Sequence, residues 1–204
     1  MPFKKELWAM PKSGDLVYGV NSSNGRKYYL KYSSAFKKAG VFTVDELQVL
    51  ETEGSKTRNQ SFLDAVAIHK KYKSALNTGD TNEAVRRKCK AGLEWGISQK
   101  KQIHFVLDDL DLAAVVGKNY AGEGNKDKPA TATEPKNRSI TGSELRWIYR
   151  NRHLAEVQAH VQFWVLGEQC LPPWEADLES NLNNALITFP KNLWAGYVPK
   201  GTVM

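Results

Sequence analysis

The amino-acid sequence predicts a single α+β domain over residues 1–204, with a small antiparallel sheet and helices inserted between its strands. Two observations indicate this class. Short segments rich in β-branched and aromatic residues alternate with longer segments whose apolar residues recur every three or four positions. The chain has 204 residues, 41% of them hydrophobic, which is enough for one domain with a substantial core.

The predicted strands come from composition and turn signals. Residues 16–20 and 27–32 have the composition of strands, and Asn21-Ser-Ser-Asn-Gly25 supplies residues that tolerate a positive φ in a turn. A β-hairpin is therefore predicted over residues 16–32. Gln102-Ile-His-Phe-Val-Leu107 is a nearly continuous apolar run, which is typical of an interior strand.

The predicted helices come from caps and from the apolar period. Thr43-Val-Asp-Glu46 and Thr141-Gly-Ser-Glu144 both have the spacing of a capping box, which predicts a helix start at each. Apolar residues predict a helix from about Asn59 to Leu76 and another that begins near Thr81. Three further elements follow from the same patterns: helices over 112–116 and about 174–186, and a strand over 160–165.

Residues 117–138 contain almost no side chain that could be buried. A loop of this length inside a compact domain is usually either mobile or functional. We therefore predict a mobile loop within the domain, and a segment that covers a substrate is the alternative.

Composition limits the partners and the compartment. A net charge of +7 favours an acidic partner such as a nucleic acid. No apolar run approaches the roughly 18 residues that span a bilayer, so no membrane is expected. Cys89 and Cys170 form no disulfide framework, which indicates reduced thiols and folding in the cytoplasm. The start at Met1 shows no ordinary secretory signal and would suit a stand-alone effector, with delivery by a signal-independent machine left open.

A basic helix is the strongest candidate for an anion site. Arg146 and Arg150 are four residues apart and project from one face, and Arg152 and His153 follow at the end of the helix. The planar fork of arginine matches phosphate oxygens, so these three arginines are predicted to bind an anion. The alternative is that they pair with acidic residues elsewhere in the fold.

His104, Asp108, Asp109 and Asp111 form a second candidate group, at the end of the predicted interior strand. Clustered carboxylates can act as general acids and bases or bind Mg²⁺. The alternatives are that His104 is a hydrogen-bonded core residue and that Asp108 or Asp109 caps the next helix.

A catalytic arrangement would combine these groups. His104 or His153 would supply an acid or base together with Asp108, and Arg146 and Arg150 would stabilise developing negative charge. That combination would suit a metal-independent nuclease or a nucleotide-modifying enzyme.

No metal or cofactor is expected. His153, Glu156 and His160 have spacings that can hold zinc on a continuous helix, but the helix is predicted to end before His160. The sequence also has no phosphate-binding glycine motif of the common nucleotide-binding folds.

The segment Ile140-Thr-Gly-Ser-Glu-Leu-Arg-Trp-Ile-Tyr-Arg-Asn-Arg152 is the most distinctive part of the chain. Together with His160-Val-Gln-Phe-Trp164 and Pro172-Pro-Trp-Glu175, it resembles toxin domains of bacterial polymorphic toxins and secreted effectors. The likeness covers residues 139–175 and carries over no catalytic residue. It implies a compact toxin domain, frequently a nuclease, that acts in another cell and is neutralised by an immunity protein.

The sequence therefore predicts a bacterial effector or toxin domain that acts on a nucleic acid or nucleotide. It would fold in the bacterial cytoplasm and be secreted into a target cell. The alternative is a non-enzymatic binding or adaptor protein whose basic face docks an acidic protein or a nucleic acid.

Overall fold

The computed structural model describes residue 3 and residues 8–20, 29–52, 55–71, 81–116 and 140–197. The predicted loop at 117–138 and the predicted turn at 21–25 lie outside this part of the chain. The elements in chain order are β1 (Leu16–Tyr18), α1 (Tyr29–Lys38), α2 (Val44–Gln48), β2 (Val49–Thr52), β3 (Ser55–Arg58), α3 (Gln60–Lys71), α4 (Thr81–Ser98), β4 (Ile103–Val106), α5 (Leu112–Val116), α6 (Ile140–Asn151), α7 (Ala155–His160), β5 (Val161–Val165), β6 (Glu168–Cys170), β7 (Leu178–Leu182), β8 (Ala185–Phe189) and a 3-10 helix (Lys191–Gly196).

The main sheet has four strands in the order β1-β4-β5-β6. β4 lies parallel to both β1 and β5, with Ile103 opposite Leu16 on one side and Val161 on the other, and β6 is antiparallel to β5. The predicted α+β class is confirmed, but most of this sheet is parallel. Helices connect β1 to β4 and β4 to β5, and such crossovers are what parallel neighbours require. The pairs β2-β3 and β7-β8 are antiparallel.

The two faces of the main sheet are covered by different helices. On one face, Phe36 of α1 packs with Val17, Val106 and Trp164. On the other face, Phe105 and Phe163 belong to the larger core cluster, to which α4 and α6 contribute Leu93, Leu145 and Ile148. Because side chains alternate along each strand, the short strands β4 and β5 can supply both clusters.

Two predicted elements are wrong. The second strand of the predicted hairpin is helical from Tyr29 onward, as the start of α1. The predicted helix over 174–186 is replaced by the hairpin β7-β8, whose turn residues Asn183 and Asn184 have φ values of 52° and 66°. Asparagine tolerates this conformation, and positive φ at both central residues is the signature of a two-residue hairpin turn.

The two capping-box patterns have different outcomes. At Thr43 the prediction is confirmed, since the backbone N–H of Thr43 donates to Glu46 at 2.8 Å and that of Glu46 donates to the Thr43 hydroxyl at 3.2 Å. At Thr141 the predicted helix is confirmed, since α6 begins at Ile140, but Thr141 lies within the helix and is not its cap. The Thr141 hydroxyl donates instead to the carbonyl of Gly19, at 3.1 Å.

Candidate functional site

Three arginines come together where α6 packs against α4. Arg146 and Arg150 lie half-buried on α6, and Arg86 of α4 is only 6% exposed. Burial lowers the pKa of Arg146, and the positive charges of Arg150 and Arg86 lower it further, against an opposing effect of Tyr197. Arg86, Arg146 and Arg150 are called the arginine cluster below. The sequence predicted two of its members and missed Arg86.

Backbone and aromatic groups fix the direction of two of these side chains. Arg146 donates from Nη1 to the carbonyl of Val115, 3.1 Å away, at the C-terminal end of α5. Arg150 donates from Nη1 to the hydroxyl of Tyr197, also at 3.1 Å. A helix C-terminus carries partial negative charge, which favours a cation there. A guanidinium group carries five N–H donors in a planar fork.

The third predicted anion-binding residue, Arg152, folds back onto its own helix. Its Nη1 donates to the carbonyl of Tyr149 at 2.6 Å, and its guanidinium carbon lies 3.8 Å from the centre of the Tyr149 ring. These contacts terminate α6, since they engage a carbonyl of its last turn. His153 follows the end of α6 and is exposed to solvent.

His104 is fully buried in the main sheet. Trp164 Nε1 donates to His104 Nδ1 at 3.2 Å, so Nε2 carries the ring proton and donates to Asp15 Oδ2, also at 3.2 Å. Burial acts to raise the pKa of Asp15, but its hydrogen bonds with His104 and two backbone N–H groups outweigh that effect and lower it. This position matches the alternative interpretation of His104 as a hydrogen-bonded core residue.

The carboxylates after β4 bind separate backbone segments. Asp108 is fully buried and accepts the N–H of Leu166 at 3.0 Å, and Asp109 accepts the N–H of Asn183 at 3.0 Å. Asp111 caps α5, since it accepts the N–H of Ala114 at 3.0 Å. The capping role expected of Asp108 or Asp109 therefore belongs to Asp111. The predicted catalytic residues therefore have different surroundings: two are buried in structural hydrogen bonds, and His153 is at the surface.

The sequence patterns did not predict a buried polar cluster formed by Glu144, Cys89 and Tyr18. Glu144 is 3% exposed, and burial raises its pKa to about 7. The Cys89 thiol is hydrogen-bonded to this carboxyl group, and burial raises the pKa of Cys89 as well. Tyr18 donates to the carbonyl of Cys89 at 2.9 Å. Three elements (β1, α4 and α6) therefore meet at groups whose charged forms are unfavourable.

Within the described residues, the structure shows neither a group of side chains that could hold a metal ion nor a helix that could span a membrane. No group of three or more histidine, cysteine, aspartate or glutamate side chains in this part of the chain could hold a metal ion. His153, Glu156 and His160 do not share one continuous helix, because α6 ends at Asn151 and α7 begins at Ala155. None of the helices described is both long enough and apolar enough to cross a bilayer.

The fold and the site define an α+β domain in which one buried and two half-buried arginines lie where two helices meet. Comparisons with protein families, with curated proteins and with solved structures found no match to this chain.

Proposed function

We propose that the arginine cluster binds the phosphate groups of a nucleic acid or nucleotide, and that the protein is a bacterial effector or toxin domain acting on that ligand. One observation supports the binding step above all: Arg86, Arg146 and Arg150 lie close enough for their charges to oppose one another. Three positive charges near one another create a positive potential that attracts an anion such as phosphate.

The surroundings of the cluster favour a nucleotide over a simple anion. Tyr197 is half-buried and lies beside Arg150, to which its hydroxyl is bonded. An aromatic face next to arginine can stack on a base while the guanidinium contacts its phosphate. Partial burial also strengthens the attraction between an arginine and a phosphate, because water screens it less.

We assign the proposed reaction on the nucleic acid or nucleotide to His153, the one predicted catalytic residue that lies at the surface. His153 is exposed at the C-terminal end of α6, whereas His104 and Asp108 are fully buried. The buried positions of these two favour the second candidate function, a non-enzymatic protein whose basic face docks a nucleic acid or an acidic protein. In the toxin context that acidic protein would be the immunity protein.

Removing either half-buried arginine of α6 is expected to weaken binding of single-stranded RNA. Arg146→Gln and Arg150→Gln should each raise the dissociation constant about tenfold, because each removes charge-assisted hydrogen bonds to phosphate. Each should also reduce the slope of log affinity against log salt by about 1. Fluorescence anisotropy measures the dissociation constant and its salt dependence. The probe is a fluorescein-labelled 2′-O-methyl RNA, whose blocked 2′ hydroxyl groups cannot attack the phosphodiester.

Arg58→Gln is the matched control, since it removes the same charge from an exposed residue at the end of β3. Equal losses in all three variants would show attraction to net charge alone and would contradict the proposed site. Competition by a mononucleotide distinguishes a nucleotide ligand from a polymer. Binding of an acidic peptide with no binding of RNA would support docking of a protein instead.

His153→Ala separates an enzyme from a binding protein. We expect wild-type expression in bacteria to arrest growth, and the variant to relieve the arrest while binding the 2′-O-methyl RNA unchanged. A loss of two to four orders of magnitude in cleavage of unmodified RNA is the size typical of a missing general acid or base. Leu154→Ala, at the adjacent exposed position, is the control. Growth unaffected by the wild-type protein would argue against the toxin assignment.

A further inference from the structure

The hydroxyl group of Ser143 has an unusual environment. Ser143 is 6% exposed, and its Oγ atom has no hydrogen-bond partner. Buried polar groups are nearly always paired, because leaving one unpaired costs the free energy of its lost hydration. A buried hydroxyl without a partner therefore needs an explanation, such as a bound group that supplies the missing hydrogen bond.

Helix geometry places this hydroxyl on the face of α6 that carries the arginines. Ser143, Arg146 and Arg150 are spaced i, i+3 and i+7, so they form one stripe along the helix. The buried residues Leu145 and Ile148 lie on the other side, towards the core. Side chains on a helix lean towards its N-terminus, so Arg146 extends over the turn that contains Ser143.

We propose that the Ser143 hydroxyl donates a hydrogen bond to a phosphate oxygen held by Arg146 and Arg150, an inference that rests on the proposed function. A phosphate group has several oxygens and can accept from two guanidinium groups and a hydroxyl at once. Ser143 lies next to the first turn of the twelve-residue helix α6, where the positive end of the helix dipole also favours an anion. The ligand thus pairs a hydroxyl that the protein alone leaves unpaired.

Ser143→Ala tests this role through three quantities that should respond differently: RNA affinity, its dependence on salt, and the melting temperature. Binding of the fluorescein-labelled 2′-O-methyl RNA should weaken about tenfold, the effect of one lost hydrogen bond to a charged group. The slope of affinity against salt should not change, because no charge is removed. Without RNA, the melting temperature should stay the same or rise, since alanine favours a helix and leaves no unpaired hydroxyl.

Ser98→Ala is the control, because the exposed Ser98 donates its hydroxyl to the carbonyl of Trp95 within α4. If Ser143→Ala binds RNA as the wild type does while Arg146→Gln and Arg150→Gln bind weakly, the role of Ser143 is wrong and the phosphate site stands. A lower melting temperature for Ser143→Ala would show a structural hydrogen bond and would also overturn it. If the wild-type protein binds neither the RNA nor a mononucleotide, the proposed function itself fails.

Discussion

Asp15→Ala should lower the free energy of unfolding by about 3–5 kcal/mol, because the carboxylate accepts three hydrogen bonds and each hydrogen bond to a charged group contributes about 1.5–3 kcal/mol. Asp15 is fully buried. Its carboxylate accepts hydrogen bonds from the backbone N–H groups of Lys12 at 3.0 Å and Gln102 at 3.1 Å, and from the His104 imidazole at 3.2 Å. Alanine would leave these three donors without their acceptor, and one of them, the His104 imidazole, is fully buried.

The contribution of Asp15 to the free energy of unfolding should decrease at acidic pH. Its pKa is lowered from 3.8 in the folded chain, because its hydrogen bonds outweigh the effect of burial. A carboxylate of this kind contributes its full stabilisation above the pKa of the unfolded chain. The contribution is then lost as the pH falls below 3.8 through the lower, folded-state pKa.

Urea unfolding followed by tryptophan fluorescence at pH 7 measures the loss. The matched control is Asp45→Ala, which removes an exposed carboxylate paired with Lys88 and should cost less than about 1 kcal/mol. Similar losses in the two variants would show that the contacts of Asp15 with His104 and the backbone contribute little.

Glu144→Gln should stabilise the protein at alkaline pH by about 3 kcal/mol. The pKa of Glu144 rises from 4.5 to about 7, first because of burial and also because of the nearby charge of Asp45, against the hydrogen bond with Cys89 and the charge of Lys90. The folded chain therefore retains a proton that the unfolded chain releases, so wild-type stability falls as the pH rises from about 4.5 to 7. The difference between these pKa values corresponds to about 3 kcal/mol. Glutamine stays neutral and keeps a carbonyl oxygen for the Cys89 thiol.

Unfolding curves for the wild-type and Glu144→Gln proteins between pH 5 and 8.5 provide the measurement. The two stabilities should converge near pH 5 and separate as the pH rises. Glu156→Gln is the control, since Glu156 is an exposed carboxylate on α7. A constant difference between Glu144→Gln and the wild type across this range would mean that Glu144 does not titrate there.

Local patterns predicted the elements that local interactions determine. The helix α5 and the cap at Thr43 depend on neighbours within a few residues, and the apolar run of β4 indicates an interior strand by its composition; all three were found. Strand direction in the main sheet depends on crossovers between distant segments, which no local pattern contains. The hairpin at β7-β8 had a readable signal, since Leu178, Ser180 and Leu182 are buried in alternation with exposed Glu179.

The candidate site was predictable only along a single helix. The four-residue spacing identified Arg146 and Arg150, because side chains so spaced lie on one face. Arg86 belongs to a basic stretch of α4 that resembles an ordinary solvated surface, and only helix packing brings it to the other two. Glu144 has the same relation to Thr141 as Glu46 has to Thr43. Sequence spacing therefore could not distinguish a cap from a buried carboxyl group.

The arrangement of the main sheet determines when the chain can fold during its synthesis. Asp15 and His104 pair across β1 and β4 although they are 89 residues apart, and Trp164 of β5 lies 60 residues beyond His104. A ribosome must therefore add Val165 before β4 has neighbours on both sides. Contacts so distant in sequence form slowly, because closing long loops costs conformational entropy. The apolar residues of β1 have no partner strand until β4 is synthesised, about halfway along the chain, and exposed apolar segments of this kind make the nascent chain prone to aggregation.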